Sequence, residues 1–126
     1  PTTLKKRIVD IVAIRKNITF IYGDGINVMQ QNSRKANAVF FIDPPYTAGG
    51  KRAGGRLYLH SELDHQELFG LVADIAGDFL MTYDNSPEVR TLAQKHDFNT
   101  HLVPMKNTHH AEMTELLIGR NLDWAK

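Results

Sequence analysis

The run Ala38-Val39-Phe40-Phe41-Ile42, cut short by Asp43-Pro44-Pro45, constrains the fold more than any other stretch of the chain. It is apolar at every position and rich in β-formers, so a strand built from it carries apolar side chains on both faces. Such a strand needs cover above and below, the pattern of a central strand in a parallel sheet between helices. The prolines remove backbone donors and fix φ, so the strand must end where Asp43 and Tyr46 stand. A turn that merely stops a strand explains the prolines. The flanking segments decide whether it explains the acid and the aromatic as well.

Those segments alternate between strand and helix. Residues 2–17 place Leu4, Ile8, Ile11 and Val12, with the stem of Arg15, at helical spacing. Residues 18–25, ITFIYGDG, read as a short strand closed by a glycine turn, and residues 26–37 as a helical turn or two. Residues 61–77 form a helix capped by Ser61 or Asp64 and ended by Gly77, with Leu68, Leu71, Val72 and Ile75 as its core face. DFLMTY (78–83) is a second buried strand, and SPEVRTLAQKHD (86–97) opens as a helix should, with Ser at the cap and Pro in the first turn. FNTHLVPM and TELLIGRN are two last strands, close enough for a hairpin. The order predicts a doubly wound α/β sheet, mostly parallel, with a final antiparallel hairpin.

Composition removes several function classes. With 126 residues the chain is one domain or a piece of one, and 42% hydrophobic against 23% charged residues can bury a single core. Fifteen basic against fourteen acidic residues give a net charge of +1, so any nucleic-acid contact must come from local clustering. The absence of cysteine excludes disulfides and thiolate metal sites and fits a cytoplasmic protein. No apolar run is long enough for a membrane span.

In open α/β sheets ligands bind beyond the carboxyl ends of the strands. Asp24, Asp43 with Tyr46, and Tyr83-Asp84-Asn85 follow three successive strands, so the topology is expected to bring them to one crevice. The Asp43 carboxylate and the carbonyl of Pro44 are acceptors held by a rigid turn, suited to grip the two hydrogens of an exocyclic amine. Drawn toward a pyramidal geometry, such a nitrogen becomes nucleophilic. Tyr46 offers a flat face on which a base can stack. Lys51, Arg52 and Arg56 lie between glycine pairs with no acid among them, a loop suited to DNA phosphates or simply solvated. His109 and His110 are neighbours that a strand would point apart, so a polar hairpin loop is the reading and no metal is expected. His60 and His65 are read as surface residues, and Trp124 is left unplaced.

The Asp43-Pro44-Pro45-Tyr46 quartet, with ITFIYGDGINVM before it and FLMTYDN and MKNTHHAEMTELLI after it, resembles the C-terminal part of the DNA adenine-N6 methyltransferases that carry a DPPY motif. The resemblance runs through nearly the whole chain; the quartet is its specific part, the rest persuading by order and spacing. It implies the C-terminal half of a Rossmann-like methyltransferase sheet and S-adenosyl-L-methionine as methyl donor. It further implies a flipped adenine in double-stranded DNA as substrate. It assigns catalysis to Asp43, Pro44, Pro45 and Tyr46, and cofactor binding to Asp24, Gly25 and Asp43. Tyr46, Lys51, Arg52, Arg56, Asn107 and His109 are expected to contact the substrate, the last two from the late hairpin that brackets the base. The family's Phe-x-Gly-x-Gly turn is absent from residues 1–126. The chain is therefore expected to be a single partial domain, inactive alone. Transfer to cytosine N4 or another amine, or a nucleic-acid-binding remnant of the fold, are the alternative readings.

Overall fold

A computed structural model of the chain describes residues 2–44, 63–106 and 112–125. Strands β1 (Val39–Ile42), β2 (Asp78–Asp84), β3 (Asn99–Lys106) and β4 (Glu112–Gly119) form a mixed sheet in the order β1-β2-β4-β3. β1 lies parallel to β2, with Val39 opposite Asp78 and Ile42 opposite Met81. β4 is antiparallel to both β2 and β3. Three strands therefore share one direction and β4 alone opposes them. The expected hairpin is present, but its reversed strand sits inside the sheet, so only one of the three pairings is parallel. Packing gives the reason: inserted beside β2, Leu116 and Ile118 of β4 complete a buried apolar face with Phe79, Met81 and Tyr83.

Helices α3 (His65–Asp74) and α4 (Pro87–Lys95) cover that face through Leu68, Phe69 and Val72 and through Val89 and Ala93. Phe98 closes the side, edge-on to Phe79 at 4.8 Å between ring centroids. Of the expected core face of α3, Leu68, Val72 and Ile75 are buried and Leu71 is partly so. Asp64 caps α3, accepting from the Glu67 amide at 3.0 Å, and Ser86 caps α4, accepting from Val89 at 3.3 Å with Pro87 just inside. α3 ends before the expected Gly77, because Ile75 is already extended. Gly77 has another duty. A Cβ there would lie 2.1 Å from the carbonyl oxygen of Ala38, where the chain enters β1.

Helices α1 (Thr2–Ala13) and α2 (Gly25–Asn32) precede the sheet. α1 forms as expected, yet none of its residues is buried, and Leu4, Ile8, Ile11 and Val12 remain exposed. Residues 18–22, expected as a strand, are not one; Phe20 and Tyr22 are 86% and 90% exposed. A strand exists only by pairing, and this stretch has no ladder partner among the described residues. For the same reason β1, expected at the centre of a sheet, stands at the edge of this one, with Val39 77% and Phe41 67% exposed. No helix among the described residues is long and apolar enough to cross a membrane.

Candidate functional site

The site begins where β1 runs out. Continued one step past Ile42 and Met81, the parallel register sets Asp43 beside Thr82. The Thr82 hydroxyl donates to Asp43 Oδ1 at 2.9 Å. Asp43 is exposed while its neighbour Pro44 is buried, so the strand end offers a carboxylate on a fixed base.

Asp43 and Pro44 share a groove of about 1050 Å³ with Asp24 and Gly25, which come from the entry to α2. Phe40, Ile42, Ile26 and Leu63 are among the groove's apolar lining. Apolar walls with a few convergent polar groups are what small-molecule ligands require. Asp24 has a local duty, since its Oδ1 accepts the Ile26 amide at 3.0 Å and caps α2. A carboxylate has further lone pairs, so capping fixes the side chain at the groove without exhausting it. A second depression, about 520 Å³, is lined by Arg90, Gln94, Asp97, Phe98 and Thr100 and shares none of the described residues with the first.

The expected contribution of Tyr83-Asp84-Asn85 is corrected by the strand's alternation. Thr82 points toward Asp43, so Tyr83 points to the other face and is fully buried, its ring 5.6 Å from that of Phe69. Its hydroxyl lies 2.9 Å from His65 Nδ1, and burial pushes its ionisation far above the ordinary phenol value. His65, expected at the surface, is half-buried here. Burial lowers its pKa, opposed by the charges of Asp84 and Asp64. Asp84 is half-buried, and its Oδ1 is shielded from solvent with no hydrogen-bond partner among the described residues. Burial raises its pKa and Glu88 adds to this, against a backbone hydrogen bond and His65. Asn85 is exposed and accepts from Arg90 Nε at 2.7 Å. None of the three is among the described residues lining the groove.

Asp24, Gly25, Asp43 and Pro44 are thus the expected site residues brought together. Pro45, Tyr46, Lys51, Arg52, Arg56, Asn107 and His109 lie outside the described residues, as do His60, Ser61 and His110. Among the described residues no group of three or more His, Cys, Asp or Glu is placed to hold a metal ion. Thr82 was missed by the sequence reading. The available signal was the parallel alignment of VFFID with DFLMT, which sets the two polar ends side by side. Compared with known proteins, the chain matches no family model and no curated protein.

Proposed function

We propose that the full-length protein is a DNA methyltransferase that transfers a methyl group from S-adenosyl-L-methionine to the N6 amine of a flipped adenine in double-stranded DNA, in the cytoplasm. The chain described here is then a C-terminal portion of its catalytic domain. The observation that carries this reading is the Asp43 carboxylate, tethered by Thr82 and opening onto the same groove as Asp24. The half-open sheet supports the partial-domain reading. β1 is apolar on both sides but among the described residues pairs on one side only, and the exposed Val39 and Phe41 are what a strand covered by further elements of a larger catalytic domain would show.

In this mechanism Asp43 and the Pro44 carbonyl each accept one hydrogen of the substrate amine. Pro44 has a carbonyl but no N–H, so that turn supplies an acceptor without a competing donor. Held this way, the nitrogen lone pair is drawn out of conjugation with the ring and directed along one line. As the new N–C bond forms and the methyl–sulfur bond breaks, positive charge grows on the nitrogen and the Asp43 carboxylate stabilises it. One N–H proton then passes to water to leave the neutral methylated amine. Tyr46 stacks on the base and excludes water from it. Asp24 and Gly25 would hold the adenosyl end of the cofactor, whose ring and positive charge suit a groove with apolar walls and two carboxylates, and which when bound would supply a methyl group activated on sulfur. Lys51, Arg52 and Arg56 contact DNA phosphates, and Asn107 and His109 bracket the base from the β3–β4 connection.

The test is a methylation assay of the full-length protein on unmethylated DNA, with the product nucleosides separated and weighed by mass spectrometry. N6-methyladenine is the expected product. N4-methylcytosine would transfer the reading to the other base. DNA binding with no methylated nucleoside would reduce the protein to a binding remnant of the fold.

A further inference from the structure

We infer that Thr82 is a positioning residue for Asp43, holding the carboxylate in the orientation that grips the substrate amine; this rests on the amine-methylation reading of the same site. The two residues stand 39 apart in sequence and meet because β1 and β2 are parallel and in register. Thr82 is only 7% exposed, so the donor is held in packed surroundings while the Asp43 carboxylate it meets reaches solvent.

The surroundings of Thr82 give its hydroxyl no other evident duty. It sits mid-strand, away from any turn or helix cap where a hydroxyl would serve the backbone. Its strand neighbours on the same face are Leu80 and Asp84, and its partner across β4 is Leu117. A valine would pack there equally well. Asp43, for its part, is exposed, and an exposed carboxylate needs no buried donor for stability. A fixed orientation matters when something must bind that carboxylate from one direction. The Thr82 hydroxyl favours the Asp43 rotamers whose Oδ1 faces β2, and a misoriented carboxylate fails to meet the amine.

The experiment compares the full-length parent with Thr82→Val, which keeps the shape and removes the hydroxyl, and Thr82→Ser, which restores it. Asp43→Asn serves as the control for loss of the acid itself. Methyl transfer to DNA is followed under steady-state and single-turnover conditions. In parallel, melting and the fluorescence of 2-aminopurine at the target position report folding and base capture. Thr82→Val is expected to lower kcat by ~10–100-fold, the scale of a charge-assisted hydrogen bond spent on orientation. Its KM for DNA, melting temperature and 2-aminopurine signal stay near the parent's. Thr82→Ser is expected to recover to within about threefold of the parent, since a positioning hydroxyl is rescued by its conservative replacement.

A parent-like kcat for Thr82→Val overturns the inference. So does a Thr82→Ser as slow as the valine variant, or a loss that tracks melting or KM alone. If the parent methylates DNA and Asp43→Asn does not, such results remove only the role of Thr82. A parent that methylates no amine overturns the function reading, and the role of Thr82 with it.

Discussion

Tyr83 and His65 are joined by a 2.9 Å hydrogen bond and an edge-on ring contact, fastening the first turn of α3 to the end of β2. The buried phenol belongs to the core and the imidazole to the rim.

This pair makes stability depend on pH in a stated direction. Burial holds the pKa of His65 below its ordinary 6.5, although Asp84 and Asp64 pull the other way. The unfolded chain takes up this proton near pH 6.5 and the folded chain only at lower pH. Between those values the unfolded state binds more protons, so stability rises with pH. The contribution is complete above pH 6.5 and declines as pH falls through the folded value. Urea denaturation midpoints recorded across this window will decline toward acid, and His65→Gln will flatten the slope. An unchanged slope in that variant would assign the dependence to another group.

Two glycines separate close packing from mere helix propensity. At Gly77 an added Cβ would meet backbone, 2.1 Å from Ala38 O and 2.9 Å from Lys35 O. Backbone cannot step aside as a side chain can, so Gly77→Ala will destabilise by at least ~2 kcal/mol. Gly70, inside α3, has nothing within 4 Å of the same position. Gly70→Ala will therefore stabilise by about 0.5–1 kcal/mol through helix propensity. Thermal or urea unfolding of the two variants checks both signs, and equal effects would refute the packing account.

Arg120 fastens the end of α3 to the sheet. Its guanidinium donates to the carbonyl of Gly77, to Ile75 at 2.7 Å and to Ala73 at 3.2 Å, and lies 5.5 Å from the centre of the Phe79 ring. These carbonyls stand at and beyond the last turn of α3, where a cation is favoured. Arg120→Met, which keeps the stem and removes the fork, will lose about 1–2 kcal/mol. Lysine will recover little of this, because one ammonium cannot span carbonyls that a planar fork reaches together. Full recovery by lysine would mean that charge alone mattered.

The elements legible in the sequence are those whose signal is local. Ser86-Pro87 announces α4, the spacing of Leu68, Val72 and Ile75 announces the buried face of α3, and the proline pair marks the end of β1. What depends on neighbours was not legible. ITFIY has the composition of a strand but no partner among the described residues to pair with. VFFI has the composition of a central strand yet ends at an edge for the same reason. At the site, Asp43 reaches the groove as its sequence predicts, because it follows a strand, whereas Asp24 reaches it from the entry to α2 and not from the strand end its sequence suggests. Tyr83 could not be placed, because one residue of register decides whether Thr82 or Tyr83 faces Asp43, and register is a property of two strands.

Asp43 offers the sharpest test of what its turn is for. As a turn former only, it would be replaced comfortably by asparagine, since both residues favour turns. Asparagine can still accept from Thr82 through its amide oxygen, so the bond seen here can survive the change. It removes the negative charge that stabilises the developing positive nitrogen, and its NH₂ can turn a donor toward the substrate amine. Loss of one such preorganised electrostatic contact slows comparable reactions by ~10²–10³-fold. In the full-length protein Asp43→Asn will accordingly keep the parent's melting temperature and DNA affinity while single-turnover methyl transfer falls at least ~100-fold. Gel-shift and melting measurements beside the rate separate chemistry from folding and binding. Near-normal transfer would return Asp43 to a turn residue at the end of β1.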